Sequence, residues 1–177
     1  ENDNYYAFIT NHNDGTLVRN AYGSNFLNTP VSLNLGDFGG IIPLHAQGIQ
    51  VLEESGNWYV FIVGGQREES RLIRLDFGSS LMNNAPVAVD LGNAGDFMDY
   101  PEDLYITRDA GNWVGFTVNY NNNNLVRFDF GNSLANAPVP VNLGNFGFDR
   151  PCGIQPVMEN GNWYIFVSNY GSHEIMR

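Results

Sequence analysis

The stretch Gly56-Asn57-Trp58-Tyr59-Val60-Phe61-Ile62-Val63 decides the fold, because its opening returns along the chain. Gly111-Asn112-Trp113-Val114 and Gly161-Asn162-Trp163-Tyr164 repeat it, and Asn4-Tyr5-Tyr6 stands at the corresponding place near the start. The aromatic residue of this opening recurs about every 53 residues, at Tyr5, Trp58, Trp113 and Trp163, and such a period indicates a repeat architecture. We call the segment that each of these residues opens the landmark strand.

Each repeat contains four short apolar segments in the same order. The first starts at a proline or an alanine (residues 46–51, 101–106 and 151–155), and the landmark strand follows it. The third segment carries Arg-x-Asp-Phe-Gly or a degenerate form of it (17–23, 72–78 and 125–131), and the fourth follows a further proline (30–36, 86–92 and 138–144). Val, Ile, Leu and aromatic residues bounded by Gly, Pro, Asn or Asp are typical of strands and turns. Since no long stretch has an apolar period of 3.6 residues, we expect helices to be nearly absent.

Four short strands in a unit of about 53 residues match one blade of a propeller. The sequence therefore predicts an all-β protein, namely a β-propeller with four-stranded antiparallel blades, of which the chain covers roughly three and a half. The landmark strand is apolar on both faces, as expected of a strand covered on both sides. The third segment alternates polar and apolar residues between Leu72 and Phe77, which predicts a half-buried strand nearer the rim. Its charged residues predict ion pairs between strands or blades, at Arg19, Arg74, Arg127, Asp76 and Asp129.

The repeat also predicts the domain organisation. Residues 1–42 supply strands two to four of a blade, 43–97 and 98–148 supply complete blades, and 149–177 supply strands one to three. Incomplete terminal blades would expose apolar surface and unpaired strand edges, which natural proteins avoid. We therefore expect the remaining blades, to a total of about six or seven, to come from a longer chain of which this sequence is a part. A strand-swapped homo-oligomer is the alternative.

One string carries a resemblance to known repeats. Ile165-Phe166-Val167-Ser168-Asn169-Tyr170-Gly171-Ser172-His173-Glu174-Ile175 resembles the YVTN and NHL type of propeller repeat. The wider pattern of Asn-Trp-Tyr, Asp-Phe-Gly-Asn-Ser-Leu and Leu-Gly-Asn resembles propeller repeats in large secreted surface proteins of Bacteroidota, where they accompany type IX secretion and gliding-motility domains. The resemblance covers essentially the whole chain and implies a propeller at an extracellular or cell-surface location. It implies little about activity, because propellers host many unrelated functions.

Composition and charge exclude several classes of function. The 177 residues carry a net charge of −11, with only eight Lys plus Arg spread singly along the sequence. Nucleic-acid binding needs clustered cations to neutralise phosphates, so we expect no nucleic-acid partner. No stretch approaches the length of an apolar membrane span, so we expect no membrane insertion. The single cysteine, Cys152, excludes an intramolecular disulfide framework, and we interpret it as a small buried residue.

Candidate binding residues lie in two sets of loops that propellers place on one face. One set follows the landmark strand and differs most between repeats, and the other leads into the first strand. Together they offer amides, carboxylates and aromatic rings, which suit a carbohydrate or protein ligand. The candidates are His45, Arg67, Asp99, Tyr100, Glu102, Asp103, Asn119, Tyr120, Arg150, Asn169, Tyr170 and His173. The alternative interpretations are that Tyr120 and Tyr170 cap the blade interface and that residues 121–124 merely form a turn.

No catalytic or metal-binding motif accompanies these residues. Asp99, Glu102 and Asp103 could supply oxygen ligands to Ca²⁺ in a central channel, although they lack the Asp-x-Asp-x-Asp-Gly spacing. Asp103 replaces a glycine of the sister repeats, so a turn-stabilising role is the alternative. His12, His45 and His173 fall in different repeats without metal-binding or acid–base spacing.

These patterns lead to two hypotheses about function. The first is a non-catalytic binding or structural module of a secreted or cell-surface protein, with a glycan or protein ligand at the loop face and no cofactor. The alternative is a propeller enzyme of the lyase, lactonase or glycosidase type that uses channel carboxylates with or without Ca²⁺.

Overall fold

A computed structural model describes all of residues 1–177, which form four antiparallel sheets in chain order. Sheet 1 contains β1 (Tyr5–Thr10), β2 (Leu17–Gly23) and β3 (Val31–Gly36). Sheet 2 contains β4 (Ile49–Glu54), β5 (Asn57–Gly64), β6 (Arg71–Gly78) and β7 (Val87–Asp90). Sheet 3 contains β8 (Pro101–Asp109), β9 (Asn112–Asn119), β10 (Asn124–Gly131) and β11 (Val139–Gly144), and sheet 4 contains β12 (Pro151–Glu159), β13 (Asn162–Asn169) and β14 (Glu174–Met176).

In every sheet the strands pair in the order in which they occur in the sequence. This confirms the prediction of antiparallel blades of short strands, with four strands in sheets 2 and 3 and three in sheets 1 and 4. The only helical element is a 3₁₀ turn at Arg67–Glu69, as the absence of a helical apolar period predicts. No helix has the length and hydropathy needed to cross a membrane.

The glycine of the recurring opening has a structural reason. It is the second residue of a two-residue hairpin turn that joins the first strand of a sheet to the landmark strand. In this turn Ser55 and Gly56 have φ of 53° and 80°, and Ala110 and Gly111 have φ of 46° and 88°. Two successive left-handed residues give the turn twist that matches a β-hairpin, and the second favours glycine. The opening therefore fixes the register of each hairpin.

The core lies between the sheets rather than within one of them. In β5, Val60 and Ile62 are fully buried in a cluster with Leu17 of sheet 1. On the other face of β5, Tyr59 and Phe61 belong to a cluster that contains residues of sheet 3. The landmark strand of sheet 2 is thus covered on both faces, in agreement with its sequence pattern.

Two of the three arginines at this position of the third strands, Arg19 and Arg74, are buried and reach into the next sheet, whereas the sequence predicted a half-buried strand near the rim. Only 7% of Arg74 is exposed, and its Nη1 donates to the carbonyls of Leu134 (3.0 Å) and Ala135 (2.6 Å) in sheet 3. Arg19 is 3% exposed and donates to the carbonyl of Leu81 in sheet 2 at 2.7 Å. The predicted ion pairs lie within single strands instead, at Arg74–Asp76 and Arg127–Asp129.

A carboxylate at the end of the first strand completes this connection. Glu54 is 9% exposed and accepts hydrogen bonds from Ser133 Oγ (2.7 Å) and the Leu134 N–H (2.9 Å) of sheet 3. It also accepts from Trp113 Nε1 at 2.5 Å and from Arg108 at 3.2 Å. A single loop of sheet 3, which begins at Ser133, is therefore held from sheet 2 at two places. Arg74 binds its carbonyl groups, and Glu54 binds one of its backbone N–H groups. We call such a pair of side chains an inter-sheet bracket.

The charge of Glu54 depends on these donors. Burial acts to raise the pKa of Glu54, but the hydrogen bonds from Ser133, Trp113 and Leu134, together with the charge of Arg108, lower it below its ordinary value. A carboxyl group with a depressed pKa in the folded state contributes stability above its unfolded pKa, and that stability is lost as the pH falls through the folded pKa.

We predict that Glu54→Gln lowers the free energy of unfolding by about 1.5–3 kcal/mol at pH 7, because a neutral amide replaces a charged acceptor of buried donors. The deficit should shrink as the pH falls from about 4.3, where the carboxyl group of the unfolded chain takes up a proton, through the lower pKa of Glu54 in the folded protein. Urea unfolding at a series of pH values measures both effects. Glu174→Gln, on an exposed position of β14, is the matched control. Equal stability of Glu54→Gln and wild type at pH 7 would contradict the bracket.

Candidate functional site

The turns that lead into the first strands present variable side chains from an invariant backbone. His45, Tyr100 and Arg150 occupy equivalent places in sheets 2, 3 and 4, and have φ of 61°, 57° and 52°. Each carbonyl accepts a hydrogen bond from the turn after the landmark strand, for example from the Tyr120 N–H to Tyr100 at 3.0 Å and from the Tyr170 N–H to Arg150 at 2.9 Å. Left-handed geometry is costly for such side chains, and strain of this kind concentrates at functional sites.

Aromatic rings form a row across this end of the four sheets. The centroid of Tyr120 lies 5.7 Å from that of Tyr100 and 6.0 Å from that of Tyr170. On the other side of Tyr100, the ring of His45 lies at 5.5 Å and that of His12 at 6.4 Å. His12, Tyr120 and Tyr170 stand at the same position of their repeats, directly after the asparagine that ends or follows the landmark strand. The repeat therefore brings rings from four sheets into one row.

The tyrosines of this row line a cleft of about 450 Å³, which we call the aromatic cleft. Its lining residues are Gln66, Tyr100, Glu102, Tyr120, Asn121, Cys152 and Tyr170. Three aromatic rings thus share one concavity with two amides, one carboxyl group and one thiol. This combination of an apolar wall and a few polar groups is typical of ligand sites.

Glu102 is the only acidic residue among those that line the cleft. Burial raises the pKa of Glu102 above its ordinary value, a hydrogen bond from Gln47 and the nearby His12 oppose this shift, and Asp103 adds to it. Burial, and then Glu102 and Tyr120, also raise the pKa of Tyr100, which therefore remains a neutral phenol at physiological pH. The cleft consequently offers both a carboxyl group and a hydroxyl donor.

His12 connects the row by hydrogen bonds. Its Nε2 lies 3.0 Å from His45 Nδ1 and 3.1 Å from the Tyr100 hydroxyl, while its Nδ1 lies 3.1 Å from Asn13 Oδ1. At the other end of the row, the guanidinium of Arg150 lies 5.5 Å from the centre of the Tyr170 ring, and a hydrogen bond with Tyr120 raises the pKa of Arg150. These contacts fix the orientation of the rings at both rims of the cleft.

Two of the acidic candidates serve the scaffold. Asp103 accepts hydrogen bonds from the N–H groups of Leu104 (2.8 Å) and of Ile154 in sheet 4 (3.0 Å). Asp99 accepts from the Arg67 N–H and from Asn121 Nδ2, both at 2.9 Å. Asp103 therefore joins two sheets instead of only stabilising a turn. The structure contains no group of three or more His, Cys, Asp or Glu side chains placed to hold a metal ion.

The remaining candidates lie outside the cleft. Asn119 and Asn169, at the ends of β9 and β13, are 0% and 3% exposed, so their side chains face the interior. Arg67 and His45 line a separate groove of about 520 Å³ between the loops of sheets 1 and 2. His173 is exposed beside Tyr170, with 6.4 Å between the ring centroids. The structure thus brings Tyr100, Glu102, Tyr120 and Tyr170 together.

Sequence reasoning did not select three of the residues that line the cleft, namely Gln66, Asn121 and Cys152. Cys152 follows the proline that opens β12, just as Glu102 follows the proline that opens β8. This equivalence was the available signal, since equivalent positions of successive repeats face the same side. Gln66 lies in the variable loop after the landmark strand of sheet 2, from which only its neighbour Arg67 was selected.

Comparisons with solved structures agree with this architecture. Over 99% of its length the chain superposes on a GH43_1 enzyme from Xanthomonas citri, with a TM-score of 0.56 and 12% sequence identity. Over 93% of its length it superposes on a GH32 β-fructofuranosidase of Bombyx mori in complex with sucrose, with a TM-score of 0.53 and 13% identity. Both are β-propeller glycoside hydrolases. The chain has a β-propeller fold.

The likeness to these propellers concerns the fold alone, because the sequences are so different. The chain spans 64% of the length of the first enzyme and 39% of the length of the second. No protein-family model and no curated protein sequence matches it. What this propeller binds must therefore be inferred from its own residues.

We predict that Tyr120→Ala makes the Cys152 thiol react severalfold faster with a maleimide, because the phenol ring and the thiol line the same cleft. Cys152 is the only cysteine, so the mass of the labelled protein reports on this position alone. Tyr5 is 43% exposed and begins β1, at the end of that strand away from the aromatic row, so Tyr5→Ala should leave the rate unchanged. Equal labelling rates in Tyr120→Ala and wild type would show that the cleft is not formed as described.

Proposed function

We propose that this propeller is a binding module that holds a carbohydrate in the aromatic cleft. The observation that carries the proposal is the row of Tyr100, Tyr120 and Tyr170 along a cleft whose remaining lining is almost entirely polar. Sugar rings present apolar C–H faces and a rim of hydroxyl groups. Aromatic rings contact the faces, while amide and carboxylate groups bind the hydroxyls.

The polar groups of the cleft suit a neutral sugar. Gln66 offers one acceptor and two donor hydrogens, Asn121 offers its acceptor and the donor hydrogen that Asp99 does not bind, and ionised Glu102 accepts from two hydroxyls at once. An anionic ligand would meet both this carboxylate and a chain of net charge −11. The solved structures that share the fold are carbohydrate-active enzymes, one of them in complex with sucrose, and this supports a sugar over a peptide.

We predict that one member of a panel consisting of sucrose and β-linked oligosaccharides of glucose, xylose and galactose binds with a measurable heat in calorimetry. Tyr120→Ala and Tyr170→Ala should each weaken binding by about tenfold or more, which corresponds to ~1.4 kcal/mol for a lost stacking contact. The bound sugar should also protect Cys152 from a maleimide, because the thiol lies in the cleft.

The matched control for the stacking tyrosines is Tyr5→Ala, which should bind like wild type. A sugar that binds equally well to wild type and to both cleft variants, and leaves Cys152 reactive, would contradict the proposed site. The absence of binding across the panel would contradict the proposed class of ligand.

A second candidate function is glycoside hydrolysis, with Glu102 as the general acid. The specific observation is the raised pKa of Glu102, since a general acid must remain protonated near the working pH. Glycosidases of the common mechanism require a second carboxylate across the scissile bond. Asp99 and Asp103 are held by backbone N–H groups instead of lining the cleft, and this favours binding over hydrolysis.

The pH dependence distinguishes the two roles of Glu102. As a ligand for hydroxyls, the ionised carboxylate is needed, so we predict that affinity falls as the pH drops through its raised pKa and that Glu102→Gln removes this dependence. As a general acid, the protonated form is needed, so hydrolysis would fall as the pH rises through the same pKa. Calorimetry and reducing-sugar release between pH 4 and 8 measure both. An affinity that does not change with pH would contradict the binding role.

A further inference from the structure

A copy of the inter-sheet bracket on sheet 4 holds no loop, and a loop of the kind that it would hold is exposed on sheet 1. In sheets 1 and 2, Glu1 and Glu54 stand at the same distance before the landmark aromatic residue, and each accepts from a leucine N–H of the next sheet, at 2.8 Å from Leu81 and 2.9 Å from Leu134. Glu159 stands at the same position in sheet 4, where it is exposed. No loop of this structure binds its carboxylate.

The arginine of the bracket recurs in the same way. Arg74 is the fourth residue of β6, and Arg177 is the fourth counted from the start of β14. The guanidinium of Arg74 lies 5.8 Å from the centre of the Tyr59 ring, and that of Arg177 lies 5.5 Å from the ring of the equivalent Tyr164. Arg177 therefore already adopts the position of a bracket arginine, but its guanidinium donates to no carbonyl of a following sheet.

A matching acceptor loop is exposed on sheet 1. Residues 25–28 correspond to residues 80–83 and 133–136, the loops that the brackets of sheets 1 and 2 hold. Leu81 and Leu134 are 4% and 0% exposed, whereas the equivalent Phe26 is 60% exposed and the adjacent Leu27 is 91% exposed. Sheet 1 thus presents the loop without a bracket, and sheet 4 presents the bracket without a loop.

The aromatic packing between sheets also lacks partners on the outer faces of sheets 1 and 4. Phe8 and Phe77 pack edge to face at 5.3 Å between sheets 1 and 2, and Phe61 and Phe130 do so at 5.3 Å between sheets 2 and 3. The equivalents without such a partner are Phe166 of sheet 4, which is 39% exposed, Tyr22 of sheet 1, and Phe116 of sheet 3, which is half-buried.

A cavity on sheet 4 has the composition needed to receive this loop. It measures about 410 Å³ and is lined by Val157, Met158, Glu159, Tyr164, Phe166 and Arg177. Three of these residues are the bracket carboxylate, the bracket arginine and the unpaired phenylalanine. The cavity therefore lies where the loop and third strand of a following sheet would pack.

We propose that sheet 4 of one molecule docks against sheet 1 of a second copy of this chain, with Glu159 and Arg177 bracketing residues 25–28 of that copy. The contact repeats the interfaces between sheets 1 and 2 and between sheets 2 and 3, and it buries Phe26 in the cavity. No strand is exchanged, so the unequal strand content of the terminal sheets does not oppose it. The interface is heterologous, because each copy uses a different surface, and further copies can add until a ring closes.

The test measures molecular mass in solution for wild type and two single variants. Sedimentation velocity should show species heavier than the 19.7 kDa monomer that grow with concentration. Arg177→Glu should remove association through sheet 4, and Phe26→Asp should remove association through sheet 1, each weakening self-association by about tenfold or more. An equimolar mixture of the two variants should form a one-to-one dimer, since each variant retains the face that the other lacks.

Matched controls are Arg67→Glu and Leu44→Asp, which change an exposed arginine and an exposed apolar residue elsewhere and should associate like wild type. Far-ultraviolet circular dichroism verifies that every variant is folded. A wild type that stays monomeric at all concentrations would overturn the proposal. So would variants that lose self-association but do not recombine, because that outcome indicates a symmetric interface.

Discussion

A buried arginine and a buried carboxylate, reaching together from one sheet into a loop of the next, determine how sheets 1, 2 and 3 of this molecule are arranged. Apolar packing between sheets is not directional, so it does not by itself fix their relative rotation. Charged side chains that bind main-chain groups at defined distances do fix it, and their burial makes the wrong arrangement costly. Arg74 and Glu54 hold residues 133–136 in this way, and Arg19 and Glu1 hold the equivalent loop of sheet 2.

The candidate site depends on this rigid arrangement. The brackets lie at one end of the strands, and the aromatic cleft lies at the other, where the turns differ between repeats. His45, Tyr100 and Arg150 share one backbone geometry but have different side chains. The repeat thus keeps the scaffold constant while it varies the groups that face a ligand, and the rings of Tyr100, Tyr120 and Tyr170 are brought together by sheets that pack side by side.

The sequence was sufficient to predict the strands, because a period of about 53 residues and the alternation of apolar residues can be read directly along the chain. It also predicted that the three tyrosines share a face. It could not predict the partners of Arg74, which are carbonyls 60 residues away, so the third strand was assigned to the rim. Asp103 was proposed as an oxygen ligand for the same reason, since the Ile154 N–H that it binds becomes its neighbour only after the sheets pack. The place of Cys152 in the cleft could be recognised only from its equivalence to Glu102 in the preceding repeat, because no motif marks it.

Native-state hydrogen exchange at single amides tests the role of the brackets most directly. The N–H groups of Leu81 and Leu134 lie in loops but are bound by buried or half-buried carboxylates, whereas Phe26 occupies the same position in a loop that no carboxylate binds. In the monomer, we expect Leu81 and Leu134 to exchange as slowly as the core strands and Phe26 to exchange at the rate of an open loop, and we expect Glu54→Gln to speed exchange at Leu134 alone. Equal, fast exchange at all three amides would contradict this role.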